Sequence, residues 1–196
     1  MTYAIATGCS HTAGIGNNIR DCYVSVLERH YKFPIYNWAI PGGSCNDTLL
    51  SIVKAVQQSQ LPKFIIAQWP NPVRRTTWIN GKKCLQNINS CDESFLMLLK
   101  NGEENFYEPW VQAIIIGNLL SRQVNIPIIN ILLESLDQLY LDQLNQSNVT
   151  LHIDKKLPGK TWFFDSAADD KLHHSPQCHQ QWAERLIGII DEYTTR

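Results

Sequence analysis

Tyr3-Ala4-Ile5-Ala6-Thr7-Gly8-Cys9-Ser10-His11-Thr12-Ala13-Gly14 opens the chain with a short apolar run that stops at a glycine and delivers a serine. Such a run predicts a buried strand, and the Gly8 turn predicts that Ser10 stands at the strand's carboxyl end with a helix starting beside it. A serine there has its hydroxyl open to a ligand, but it is a weak nucleophile until a base takes its proton. The other end of the chain supplies a base in Asp170-Lys171-Leu172-His173-His174-Ser175-Pro176, followed by Cys178 and His179. A carboxylate three residues before an imidazole on a tight loop can accept the Nδ1 proton, which leaves Nε2 facing a hydroxyl. Ser10, His173 and Asp170 can form a triad only in a fold that brings the two ends of the chain together. The plainer readings are that Ser10 and Thr12 cap a helix and that the last loop is merely polar.

Between those ends, short apolar runs alternate with longer segments of helical period, the pattern of a parallel sheet with helices on its faces. Strands are expected at Tyr3 to Thr7, Pro34 to Ala39, Lys63 to Trp69, Ile126 to Leu132 and, shorter, Val149 to Ile153. Helices are expected over Asn18 to Tyr31, Asp47 to Gln58, Glu104 to Arg122 and Leu136 to Leu144. Ser175-Pro176 opens a last helix whose apolar face runs through Gln180 to Tyr193, proline being well suited to a first turn. Asn80-Gly81 between Thr76-Thr77-Trp78-Ile79 and Lys82-Lys83-Cys84-Leu85 is a two-residue hairpin signal, so residues 76–85 read as a small β-hairpin inserted on a simpler plan. The expected architecture is α/β: one doubly wound domain over residues 1–196, with a mainly parallel central sheet flanked by helices. Right-handed crossovers then place Thr7-Gly8-Cys9-Ser10, Ala39 to Ser44 and Trp69 to Arg74 along one crevice.

Composition narrows the function. The 196 residues carry 17 basic and 18 acidic side chains, a formal charge of -1, which gives no electrostatic footprint for nucleic acid or an anionic membrane. The longest apolar run, Ile126 to Leu133, is interrupted by Pro127 and Asn130 and is too short to span a bilayer. Met1-Thr2-Tyr3-Ala4-Ile5 lacks the basic start of a signal peptide, so synthesis in a cytoplasm is expected. Free thiols are expected for Cys9, Cys22, Cys45, Cys84, Cys91 and Cys178, since the chain has the apolar content for a proper core. Cys178, His179, His173 and His174 crowd together, but no CxxC pair is present, and a zinc site is the lesser reading.

The two terminal blocks resemble the SGNH hydrolase superfamily, also called GDSL esterases and lipases. Its first block is Gly-Asp-Ser and its last is Asp-x-x-His. Gly8-Cys9-Ser10-His11-Thr12 is similar to the first with cysteine in the aspartate slot, and Asp170-Lys171-Leu172-His173 to the last, with His173 as base. The resemblance implies a flavodoxin-like SGNH fold and a serine esterase that hydrolyses a small acyl ester, an O-acetyl group on a carbohydrate being the favoured substrate. No metal or cofactor is implied.

It also implies an oxyanion hole, whose donors typically contribute about 100- to 1000-fold in rate each. Its members would be the Ser10 amide and Gly42, within Asn37-Trp38-Ala39-Ile40-Pro41-Gly42-Gly43-Ser44, with Gly43 the alternative. Asn71 is the third, in Ala67-Gln68-Trp69-Pro70-Asn71-Pro72-Val73-Arg74, where the family has Gly-x-Asn-Asp. Gln68 or Arg74 are alternatives to Asn71. Substrate contacts fall to His11, Arg74 and Trp69, against the blander readings of a loop-shaping histidine, a solvated arginine and a core tryptophan. Cys9 as a thiol nucleophile is a minor alternative. The cysteine in the first block and the divergent third block keep a second reading open: an SGNH-fold binding or structural module with little turnover. Its hairpin would then serve as a docking arm in a larger assembly such as a virion.

Overall fold

In the computed structural model, which describes residues 2–72, 74–79, 82–86, 104–132, 138–152 and 175–194, the opening strand is β1 (Ala4–Thr7), buried at every position. It lies inside a five-stranded sheet with β2 (Ile35–Asn37), β3 (Ile65–Trp69), β6 (Ile128–Leu132) and β7 (Leu151–His152), in the order β2-β1-β3-β6-β7. Each neighbouring pair is parallel, so the sheet is a doubly wound one whose direction of growth reverses beside β1. That reversal opens a crevice at the carboxyl ends of β1 and β3. The expected hairpin is present as β4 (Arg75–Ile79) paired antiparallel with β5 (Lys82–Gln86) outside the main sheet.

Strands buried on both faces need helices on both. On one side, α3 (Cys45–Val56), α4 (Glu104–Gln123) and α5 (Gln138–Gln146) cover Ile5, Ile65, Ala67, Trp69, Ile128 and Leu132. On the other, α2 (Tyr23–Tyr31) and α6 (Pro176–Thr194) cover Ala4, Ala6, Ile66, Ile129 and Ile131. The alternation of the two sets along each strand is the period-two geometry of a pleated sheet, and each large aliphatic group so buried stabilises the fold by about 1.5–3 kcal/mol. Asn118 and Asn130 pair with each other inside the first layer. Asn130 Oδ1 accepts from Trp69 Nε1 at 2.9 Å and Asn118 Nδ2 at 3.2 Å, while its own amide donates to Asn118 Oδ1 and the Thr150 carbonyl.

Several boundaries differ from expectation for local reasons. The helix expected from Asn18 is broken: a 3₁₀ turn at Ile19–Asp21 is followed by Cys22 in an extended conformation (φ -62°, ψ 139°), and α2 begins only at Tyr23. Cys22 donates its thiol to the Thr12 carbonyl at 3.3 Å, and that contact turns the chain. The second strand ends at Asn37 rather than Ala39, because the Asn37 side chain ties itself to the Thr12 carbonyl and the Ala39 amide. Ser175 caps α6 by accepting the Cys178 N–H on its hydroxyl at 3.2 Å, as the Ser175-Pro176 reading requires.

The contact between α2 and α6 carries a pH prediction. Burial pushes the Cys22 thiol and the Tyr23 and Tyr31 phenols above their ordinary values of 9.0 and 10.0, and Asp191, which accepts from Tyr31 at 3.0 Å, adds to the Tyr31 shift. The native protein thus holds protons that the unfolded chain releases, and stability falls with pH from the unfolded values upward. The midpoint of thermal unfolding should decline from about pH 9 onward, with buried tyrosinate absorbance rising only together with loss of far-ultraviolet dichroism. All seven tyrosines titrating while the fold is intact would contradict this.

Candidate active site

The turn that carries Ser10 is built by close approach. Gly8 follows β1 with φ +156°, and a Cβ there would sit 2.6 Å from Gln68 Oε1 and 2.7 Å from Thr12 Oγ1. Only glycine admits those neighbours. Cys9, extended, is the N-cap of α1 (Ser10–Ala13), and Ser10 is its first residue. The N-cap makes no side-chain cap bond, and Thr12 directs its hydroxyl to Gln68, so neither Ser10 nor Thr12 serves as a cap. In first position, the Ser10 N–H has no carbonyl within reach in its own helix.

The first two of the expected loops meet, and the strand that leads into the third joins them. Ile40 donates its N–H to the Gly8 carbonyl at 3.0 Å, joining the loop after β2 to the Ser10 turn, and Cys9 donates its N–H to Gln68 Oε1 at 3.0 Å, joining β3 to it. This crowding leaves Ser10 only 7 % exposed, more covered than the open hydroxyl expected. In the second loop, Gly42 takes φ +72°, while Gly43 donates its N–H to the Ile40 carbonyl at 2.7 Å. Of the two glycine amides, Gly43 is thus engaged inside the turn. Asp47 anchors the loop to α3 by accepting the Ser44 N–H and hydroxyl at 2.9 and 3.0 Å.

The third loop corrects one expectation. Trp69 is 1 % exposed, packed with Ile52 in the core beside Gly117, with its indole N–H bonded to Asn130. It offers no face to a substrate, because an odd position on a doubly covered strand points into a helix layer. Gln68, on the opposite face, lies beneath the Cys9–Thr12 turn and is wholly buried. Asn71 is half-buried after β3, and its carbonyl accepts the Arg74 N–H at 3.0 Å. Arg74 is half-buried, and its Nη1 is enclosed without a hydrogen-bond partner. His11 is buried beside Ser10. Cys9 is 1 % exposed, with its thiol turned to Gln68 at 3.1 Å, an unsuitable setting for a thiolate nucleophile.

His173 and Asp170 lie outside the described residues, as do His174 and Trp162. The described part of that end is the first turn of α6. There His179 is 1 % exposed and accepts the Tyr23 N–H on Nδ1 at 3.3 Å. That is a structural hydrogen-bonding role. Cys9, Cys22, Cys45 and Cys178 are free thiols, and the described residues hold no group of three or more His, Cys, Asp or Glu placed for a metal. No helix among them is long and apolar enough to cross a membrane.

Over 100% of both chains, this structure superposes on the psychrotrophic esterase EstA from Pseudoalteromonas sp. with a TM-score of 0.62 at 12% identity. The chain has the fold of the SGNH, or GDSL-type, hydrolases. A protein ascribed to the G-D-S-L family of lipolytic proteins from Desulfitobacterium hafniense is similar over 94% of this chain and 97% of its own, with TM-score 0.54 and 15% identity. A carbohydrate esterase family 2 enzyme with a carbohydrate-binding domain, from Corynascus thermopiles (Myceliophthora fergusii), is similar over 100% of this chain and 67% of its own, with TM-score 0.60 and 11% identity. No family model matches the sequence, and no curated protein does. On the SGNH-type fold, a second residue that sequence reasoning placed elsewhere, after Trp69, is Gln68, weighed as an oxyanion donor but found under the Ser10 turn. The available signal was a glutamine inside an otherwise apolar, doubly covered strand, since a buried polar residue is the informative exception.

Proposed function

We propose that the chain is a serine esterase hydrolysing a small acyl ester, with an O-acetyl group on a carbohydrate as the favoured substrate. The observation that carries this reading is Ser10 at the first position of a helix, at the carboxyl end of β1 beside the reversal of strand order, in a chain whose fold is that of esterases along its full length. Ser10 Oγ attacks the acyl carbonyl as His173 takes its proton, and Asp170 holds the resulting imidazolium. The oxyanion is met by the Ser10 and Gly42 amides, with Asn71 as the side-chain donor. The engagement of the Gly43 amide by Ile40 favours Gly42 between the two glycines. His173 then returns its proton to the leaving alcohol and activates water, which releases the acid and frees Ser10. His11 borders the nucleophile, and the enclosed Arg74 guanidinium supplies a donor for a polar or acidic substituent of the substrate.

An esterase of the same fold is inhibited by monoethylphosphonate, and a phosphonate that esterifies the active hydroxyl is the direct test. Mass spectrometry should place one phosphonyl group on Ser10 of the wild type and none on Ser10→Ala. Unlabelled Ser10, together with hydrolysis of a chromogenic acetate no faster than in Ser10→Ala, would replace this reading with that of a binding module.

A further inference from the structure

The polar groups beneath Ser10 form one connected path. Gln68 Oε1 receives the Cys9 N–H at 3.0 Å, the Cys9 thiol at 3.1 Å and the Thr12 hydroxyl at 3.2 Å. Thr12 Oγ1 in turn receives the Tyr23 hydroxyl at 3.0 Å. Tyr23 gives its main-chain N–H to His179 Nδ1, stacks its ring on the His179 imidazole and meets Trp182 at 5.5 Å between centroids. Gln68, Thr12 and Tyr23 are wholly buried, and Cys9 and His179 are 1 % exposed. The path runs from β3, under the Ser10 turn, to the first turn of α6, which follows the segment bearing His173 in the sequence.

The orientation of the Gln68 amide is fixed, because a main-chain N–H can be met only by its oxygen. Its nitrogen is thereby left buried without a hydrogen-bond partner. An unsatisfied buried donor lowers stability, and an apolar residue of similar shape would avoid that cost. A glutamine on those terms is explained by what its oxygen does, which is to hold two residues of the Ser10 turn, Cys9 immediately before it and Thr12 two positions after it.

We propose that Gln68 is a positioning residue for Ser10, acting through Cys9 and Thr12, with Tyr23 as the strut that fixes the same turn against α6. This rests on the serine-esterase reading. A displacement of about 1 Å in a reacting group can cost on the order of 100-fold in rate without weakening substrate binding. The effect is therefore expected in kcat rather than KM.

The test compares the full-length wild type with Gln68→Met, Gln68→Glu and Tyr23→Phe, reading acetate-ester kinetics and the rate of phosphonylation at Ser10. Gln68→Met keeps the volume and loses the acceptor; it should lower kcat and the labelling rate about 100-fold, with KM within about twofold. Gln68→Glu keeps an acceptor oxygen and should recover at least about a tenfold part of that loss, a rescue that mere packing would not produce. Tyr23→Phe removes one hydroxyl and should lower kcat about fivefold. If the wild type reacts at Ser10 and a folded Gln68→Met reacts equally fast, the positioning role is overturned and the esterase reading stands. If the wild type itself does not react, both fall. Should Gln68→Met fail to fold, Tyr23→Phe decides, and an unchanged kcat overturns the proposal.

Discussion

Ser10→Ala is expected to lower kcat for ester hydrolysis by about 10⁶-fold, the scale on which loss of the nucleophile is felt in a serine hydrolase, while leaving the fold intact. The size follows from the chemistry. Without Oγ there is no acyl-enzyme, and what remains is the help given to direct attack by water from the oxyanion donors and substrate binding. The fold should tolerate the change, because the Ser10 side chain neither caps α1 nor forms part of the Gln68–Thr12–Tyr23 path. Steady-state kinetics on a chromogenic acetate, beside thermal unfolding of both proteins, measures the two halves of the expectation. A loss under about tenfold would show that hydrolysis does not pass through Ser10, since a true nucleophile cannot be removed at so little cost.

The sheet was legible because its strands are short, apolar and bounded by glycine, proline or asparagine. Periodicity finds such segments without tertiary information. Asn80-Gly81 announced the hairpin by turn chemistry alone. Boundaries were less legible wherever a side chain bonded to distant backbone. Asn37 ends β2 and Cys22 breaks the helix expected from Asn18, and both do so by reaching the Thr12 carbonyl, a partner that sequence spacing cannot reveal. Trp69 and Gln68 show the same limit at the site. The two alternate on β3, so one enters the core and the other supports the Ser10 turn, but which face is which depends on the layers that cover the sheet. The position of Ser10 at the end of β1 needed only the glycine before it. Its near-complete burial accompanies contacts of its turn with the loop after β2, through Ile40, and with β3, through Gln68.

Gly8→Ala should be more damaging than any other substitution outside the proposed triad, because it strikes stability and activity together. The added methyl would lie 2.6 Å from Gln68 Oε1, 2.7 Å from Thr12 Oγ1 and 2.9 Å from Gln68 Cβ. All three are closer than carbon packing allows, and none belongs to a side chain with solvent to retreat into. The backbone adds a second penalty, since φ +156° is a conformation that residues with a Cβ rarely adopt. Overpacking of this kind costs about 1–3 kcal/mol. In a chain of 196 residues, that corresponds to a fall of roughly 2–12 °C in the midpoint of thermal unfolding. Relief can come only by pushing Gln68 and Thr12 apart, which moves Cys9 and Thr12 in the turn that carries Ser10. The surviving folded protein should therefore lose about 100-fold in kcat as well. Calorimetry separates this from simple destabilisation: at a temperature where the variant is fully native, a folding defect alone would leave kcat unchanged, whereas a displaced nucleophile keeps the deficit. Wild-type stability with wild-type kcat would mean that β1 does not deliver Ser10 through so tight a turn, and that the space beneath the serine is open rather than filled by Gln68.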